Sequence, residues 1–225
     1  RENFVTKEAL QAENEELRTE LASVQEQLNQ VQLNQDEFNQ LRELYGMDQT
    51  FSDYEKVAAR VIGKDPGNWF STFQIDKGSN DGITKDMNVI ADGGLAGIVT
   101  DVGPNYATVR AVIDDNSNVS CKDLATSNLC IVSGSLQSMN ESSMIHFSDL
   151  SDKENKVAEG DQIVTSNVSD LYLEGIPVGY ITEITDDANQ LTKSGKVATI
   201  VDFEHMEKVF VILQTKDAIT EHQGE

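Results

Sequence analysis

From Leu10 onward, apolar side chains return at steps of three and four: Leu10, Leu17, Leu21, Val24, Leu28, Val31, Phe38 and Tyr45. This is a heptad seam. Leu10, Leu17, Val24, Val31, Phe38 and Tyr45 take d positions, Leu21 and Leu28 take a, and Asn14, Gln35 and Arg42 are polar a residues. The pattern predicts a coiled-coil helix over residues 1–47. Outside one narrow stripe that helix is polar, so only the stripe can be buried, and its partner must be equally narrow. A parallel second copy of the chain meets this demand. The expected dimer interface is therefore Leu10, Asn14, Leu17, Leu21, Val24, Leu28, Val31, Gln35 and Phe38, with Asn14 and Gln35 setting register at some cost in stability. The alternative is a seam folded back on the chain's own body.

Gly46 follows Tyr45 where a helix C-cap belongs, and residues 48–56 read as a linker. Beyond it the texture changes to short β-branched runs: Val57–Ile62, Phe70–Ile75, Asn88–Ala91, Leu95–Val102, Thr108–Ile113, Leu129–Ser133, Met144–Phe147, Gln162–Ser166, Val178–Ile184, Val197–Val201 and Val209–Leu213. Turn signals punctuate them at Pro66-Gly67, Gly78-Ser79-Asn80-Asp81-Gly82, Asp92-Gly93-Gly94, Gly103-Pro104-Asn105 and Glu159-Gly160-Asp161. Such spacing suits antiparallel barrels better than βαβ units. The expected fold is mainly β with a long N-terminal coiled-coil α-helix and two small six-stranded β-barrels. A first barrel segment is expected over 57–112 and a second barrel over 113–225, with the C-terminal strands free to return to the first. Trp69 and Phe70 follow a turn and open a strand, which predicts core positions, with an exposed partner anchor as the other reading.

At 225 residues the chain can bury a core without cross-links. Its 17 basic and 39 acidic residues give a formal charge of -22, which repels phosphate backbones and anionic lipid head groups and excludes nucleic acid as an expected partner. No run of about 18 apolar residues and no signal-peptide succession is present in the sequence. The chain opens on Arg1-Glu2-Asn3 without Met, so a membrane anchor is expected to precede it. Cys121 and Cys130 are too few for a disulfide framework and lack zinc-site companions. Buried free thiols are the favoured reading, and a bridge across a hairpin the other.

Catalytic chemistry is poorly provided for. Nucleophilic catalysis needs a Ser or Cys beside a base, and His146, His205 and His222 are the only histidines. Gly134-Ser135-Leu136 lacks the flanking spacing of a nucleophile elbow. Asp114-Asp115 and Asp186-Asp187 lie in no calcium-loop pattern and suit surface turns. Gly93-Gly94 with Gly97 precedes a strand rather than the helix a phosphate cradle opens, so these glycines predict a hairpin. Neither metal nor cofactor is expected. One apolar triplet, Leu171-Tyr172-Leu173, lies between polar turn residues and Gly175-Ile176-Pro177. It reads either as a partner-contact patch or as packing against a barrel.

Taken in order, Asp65-Pro66-Gly67-Asn68-Trp69-Phe70, Ile75-Asp76-Lys77-Gly78, Asp81-Gly82-Ile83 and Gly94-Leu95-Ala96-Gly97-Ile98-Val99 resemble the signature run of the MreC family. A later block, Gly160-Asp161-Gln162-Ile163-Val164-Thr165-Ser166 with Gly175-Ile176-Pro177-Val178-Gly179, is similar to that family's second motif. The likeness departs at residues 167–173, where the family more often has glycines. The resemblance implies a single-pass membrane protein whose body lies outside the cytoplasmic membrane, built of two barrels like those of trypsin-like proteases but without an active site. It also implies self-association and a role linking cell-wall synthases with other membrane proteins of the elongation machinery. A periplasmic adaptor, whose helices form an inserted hairpin, and a protease-like barrel protein are the alternatives.

Overall fold

The computed structural model describes residues 17–26, 54–64, 71–188 and 191–216. Residues 17–26 form a helix, α1, on which Leu17, Leu21 and Val24 are exposed in the single chain. Of the expected seam, Leu10, Asn14, Leu28, Val31, Gln35 and Phe38 lie outside the described residues, as do Trp69, Phe70 and His222.

The body is built on twelve described strands: β1 (Lys56–Lys64), β2 (Thr72–Ile75), β3 (Asn88–Ala91), β4 (Gly94–Val102), β5 (Ala107–Ala111), β6 (Asn118–Asp123), β7 (Leu129–Ser133), β8 (Met144–Leu150), β9 (Gln162–Thr165), β10 (Pro177–Asp186), β11 (Lys193–Thr199) and β12 (Lys208–Ile212). They close into two antiparallel six-stranded barrels, in the orders β1-β12-β3-β4-β5-β2 and β10-β11-β8-β7-β6-β9. The last strand returns to the first barrel and lies between β1 and β3, pairing Ala58 with Phe210 and Phe210 in turn with Ile90. A short helix, α2 (Leu136–Ser142), joins β7 to β8 and is capped by the Ser135 hydroxyl, which accepts from Ser138 N at 3.2 Å.

Side chains alternate in and out as a barrel wall requires. On β5, Ala107, Val109 and Ala111 are buried while Thr108 and Arg110 are not, and on β6 the buried positions are Val119, Cys121 and Asp123. The β3–β4 hairpin turns through Asp92 and Gly93, with φ of 50° and 81°. Two successive left-handed residues make the turn whose twist matches the flanking strands, and an Asp-Gly pair adopts it readily.

Strand β4 breaks the alternation: its first six residues, Gly94 to Val99, are all buried. A strand hidden on both faces reads as a continuous apolar run. One face lines the first barrel; the other meets the second, since a Cβ on Gly94 would sit 3.2 Å from Pro177 O and 3.0 Å from Ile200 Cβ. The connection between barrels crosses Gly134, where a Cβ would come within 2.2 Å of Asp114 O. Asp202 N donates to Asp92 Oδ2 at 3.1 Å, tying the segment after β11 back to the β3–β4 turn.

Candidate functional site: the barrel joint and the outer face of β7

The triplet Leu171-Tyr172-Leu173 lies in the loop between β9 and β10, and this loop joins the barrels. Asn88 on β3 is fully buried and uses both ends of its amide on it: Nδ2 donates to Leu171 O at 3.0 Å, and Leu173 N donates to Oδ1 at 2.8 Å. From its own barrel the loop is held by Thr165. That hydroxyl donates to Leu173 O at 2.5 Å and accepts from Ile176 N at 2.8 Å, while Ser169 Oγ accepts from Tyr172 N at 3.0 Å. Burial pushes the Tyr172 hydroxyl pKa up, with Ser117 and the Arg110 guanidinium beside it acting the other way. Tyr172 and Leu173 are thus enclosed, at 3% and 1% exposure, whereas Leu171 is 41% exposed and is the triplet's one side chain open to a partner.

Because an apolar group cannot satisfy Leu173 N and Leu171 O, Asn88→Ala is expected to lower stability by about 2 kcal/mol in urea unfolding. An unchanged midpoint would show that water replaces the amide without cost.

A second feature was legible only in part. Leu129-Cys130-Ile131-Val132 is apolar at every position, the signature of a strand covered on both faces. Among the described residues only one face is covered: Cys130 and Val132 point into the barrel, while Leu129 and Ile131 are 45% and 38% exposed. Across the ladder they meet Lys122 and Ser120 of β6. The joint loop borders the same face, through the Lys122 Nζ to Glu174 Oε1 pair at 2.5 Å and the Ser166 hydroxyl, which donates to Ser120 O at 3.1 Å. Val168, 59% exposed, lies on that loop.

Residues weighed as chemical groups have structural work instead. Asp114 Oδ1 accepts from Asn116 N at 2.9 Å, Asp115 Oδ1 from Leu136 N at 2.8 Å, and Asp187 from the hydroxyls of Thr192 and Ser194 at 2.5 and 2.7 Å. These are turn and cap contacts. His205 Nδ1 lies 2.9 Å from Asp202 Oδ2 on an exposed turn, and His146 is exposed on β8. Among the described residues no group of three or more His, Cys, Asp or Glu is placed to hold a metal ion, and no helix is long and apolar enough to cross a membrane.

The family model for the rod shape-determining protein MreC, barrel core, matches residues 61–213, which run from β1 through β12. The chain belongs to the MreC family. The cell shape-determining protein MreC of Listeria monocytogenes is 28% identical over 210 residues, covering 92% of this chain and 70% of that protein. A solved structure of MreC superposes with a TM-score of 0.71 at 23% identity, covering 79% of this chain and 98% of its own. A chain in the solved complex between penicillin-binding protein PBP2 and MreC from Helicobacter pylori shares the fold at a TM-score of 0.53 and 10% identity, covering 71% of this chain and 99% of its own. MreC proteins are structural cell-shape proteins, not enzymes. The expected double barrel is therefore the MreC barrel core, whereas of the span expected as a long coiled-coil helix only residues 17–26 are described, as α1.

Proposed function

We propose that this MreC chain is a scaffold of the elongation machinery that self-associates through its heptad helix and presents its barrels to cell-wall synthases. The observation that carries the reading is the half-covered strand β7: Leu129 and Ile131 are exposed apolar side chains on an outer barrel wall, and Lys122 and Ser120 of β6, their ladder partners, are tied to the joint loop through Glu174 and Ser166. The PBP2–MreC complex of H. pylori supports a synthase as the class of partner. An apolar centre with Lys122 and Glu174 at its edge has the make-up of a protein interface. In this reading a membrane anchor precedes Arg1, and the body works outside the cytoplasmic membrane.

Two experiments test the two halves. The double variant Leu129→Asp/Ile131→Asp, altered only at exposed positions, is expected to keep its melting temperature and lose capture of the elongation penicillin-binding protein at least about tenfold. Capture at the parental level would remove this face from the interface. The variant Leu21→Asp/Leu28→Asp places like charges across the proposed seam and is expected to sediment as a monomer where the parent is a dimer. Equal self-association would mean that the seam is not the dimer interface.

A further inference from the structure

Inside the second barrel, Cys121 on β6 faces Cys130 on β7 directly across the ladder, and both are buried, at 0% and 3% exposure. They are free thiols in this structure. We infer that the pair is a disulfide site, a staple across the β6–β7 hairpin that is made while the chain folds and is then sealed inside the barrel.

The register supplies the geometry. Asp123 N donates to Asn128 O at 2.9 Å and Gly134 N to Ser117 O at 3.0 Å, so hydrogen-bonded positions recur at every second residue and include Cys121–Cys130. Residues paired in this way lie about 5.5 Å apart at Cα. That Cα span is one a disulfide bridges and both side chains point to the same side of the sheet, while the Cβ atoms, about 5 Å apart at such a pair, must be drawn about 1 Å closer as the bond forms.

Local structure brings the pair together early. Asp123 Oδ2 accepts from Thr126 N and from Thr126 Oγ1, both at 2.6 Å, and Ser127 adopts a left-handed φ of 61° and donates its N–H to Asp123 O at 2.9 Å. The hairpin therefore closes over a short turn. The barrel needs the distant β9 to cover β6 and β8 to cover β7. Short loops close before long ones.

Once the barrel is shut, the thiols are protected. Burial, and then the Asp123 carboxylate, push the Cys130 thiol up to about 12, and burial, with Cys130 alongside, raises Cys121 well above its ordinary value. The thiolate, which is the reactive form, is then scarce at neutral pH.

The chemistry balances with a disulfide donor such as glutathione disulfide. One cysteine thiolate of the open hairpin attacks a donor sulfur and expels the first donor thiolate, leaving a mixed disulfide. The second cysteine thiolate then attacks the protein sulfur of that mixed disulfide and expels the other donor thiolate. The two cysteines lose two protons and two electrons, and the donor becomes two thiols. A chain folding outside the cytoplasm, as proposed above, would meet such donors, but the site itself rests on the hairpin alone.

The test uses the whole chain, reduced and unfolded in guanidinium chloride, then refolded in glutathione disulfide with reduced glutathione. Remaining thiols are alkylated under denaturing conditions and counted by mass spectrometry. The expected product is a monomer lighter by two hydrogens, with no alkylated cysteine and a melting temperature about 5 °C above that of the dithiol form. Native dithiol protein in the same buffer should bridge at least about 100-fold more slowly, and Cys130→Ser should show neither the bridge nor the shift. Refolded protein that keeps both thiols or carries glutathione on each would overturn the site. A bridge that lowers the melting temperature would overturn its role as a staple, and native protein that bridges as fast as unfolded protein would overturn the seal.

Discussion

Gly97→Ala is expected to destabilise the first barrel by about 3 kcal/mol or more, enough to leave much of the protein insoluble on expression. A Cβ at this position would stand 2.1 Å from Arg110 O, 2.9 Å from Arg110 C and 3.0 Å from Ala111 Cα. All three are backbone atoms, so no side-chain rotation relieves the clash, and β4 must part from β5 where Gly97 pairs with Ala111. Neither strand can drift outward, because Ala96 and Ile98 are at 0% and 1% exposure. The comparison that isolates this cause is Gly160→Ala. Gly160 needs its left-handed φ of 94° but has nothing within 4 Å of a built Cβ, so the expected loss is about 1 kcal/mol. If both variants melt alike, close approach of β4 and β5 is not what this glycine serves.

The second large effect is expected at Asp152, whose side chain is fully buried behind β8. It accepts from Lys156 N at 3.0 Å, Val157 N at 3.1 Å and Lys193 Nζ at 3.0 Å, so one carboxylate fastens the segment after β8 to the start of β11. Asp152→Ala removes the carboxylate facing the Lys193 ammonium, 13% exposed, leaves it the Asn155 side-chain oxygen as an uncharged partner, and orphans two backbone donors. The expected loss is about 4 kcal/mol at neutral pH. Burial works against this charge, yet the backbone donors and Lys193 together hold the carboxyl below its ordinary 3.8. A carboxylate whose pKa is lower folded than unfolded adds stability that is fully present above the unfolded value and is lost as pH falls through the folded one. The gap between parent and variant should therefore be constant from pH 7 to about 5 and narrow below about 4. A gap that persists unchanged at pH 3 in urea unfolding would show that packing, and not the charge, is what Asp152 contributes.

The strands that sequence reasoning located are those whose inward residues are apolar. Strand β6 escaped it because Asn118–Asp123 offers only Val119 and Cys121 as apolar inward positions and ends on a buried aspartate that serves the turn. The start of β11 escaped for a related reason: Lys193-Ser194-Gly195-Lys196 is polar, yet it pairs along β10 and β8. Gly195 permits that, since a Cβ there would fall 1.8 Å from Glu183 O. Pairing on both sides, invisible in a single segment's periodicity, outweighed local preference. The expected stretch to Val201 overruns β11, which ends at Thr199, although Ile200 N still donates to Val178 O at 3.1 Å and its side chain lies against Gly94.

The candidate surface was half legible for a similar reason. An apolar run states that both faces of β7 avoid water; it does not say whether the second cover is the same chain or another. The triplet at 171–173 was ambiguous because its decisive contact, Asn88, lies 83 residues upstream and is polar.

Where the body's chain begins and ends carries a mechanical consequence. Leu213 N donates to Glu55 O at 2.8 Å, beside the Lys56–Ile212 pair, so the incoming and outgoing strands are neighbours at one pole. Tension that draws these two ends apart meets the β1–β12 ladder one rung at a time, like a zip, instead of loading all its rungs together as a sliding pull would. The first barrel would then open under a small force applied between residues 55 and 213, while the second barrel, whose strands all lie inside that span, would bear no load until the first had given way.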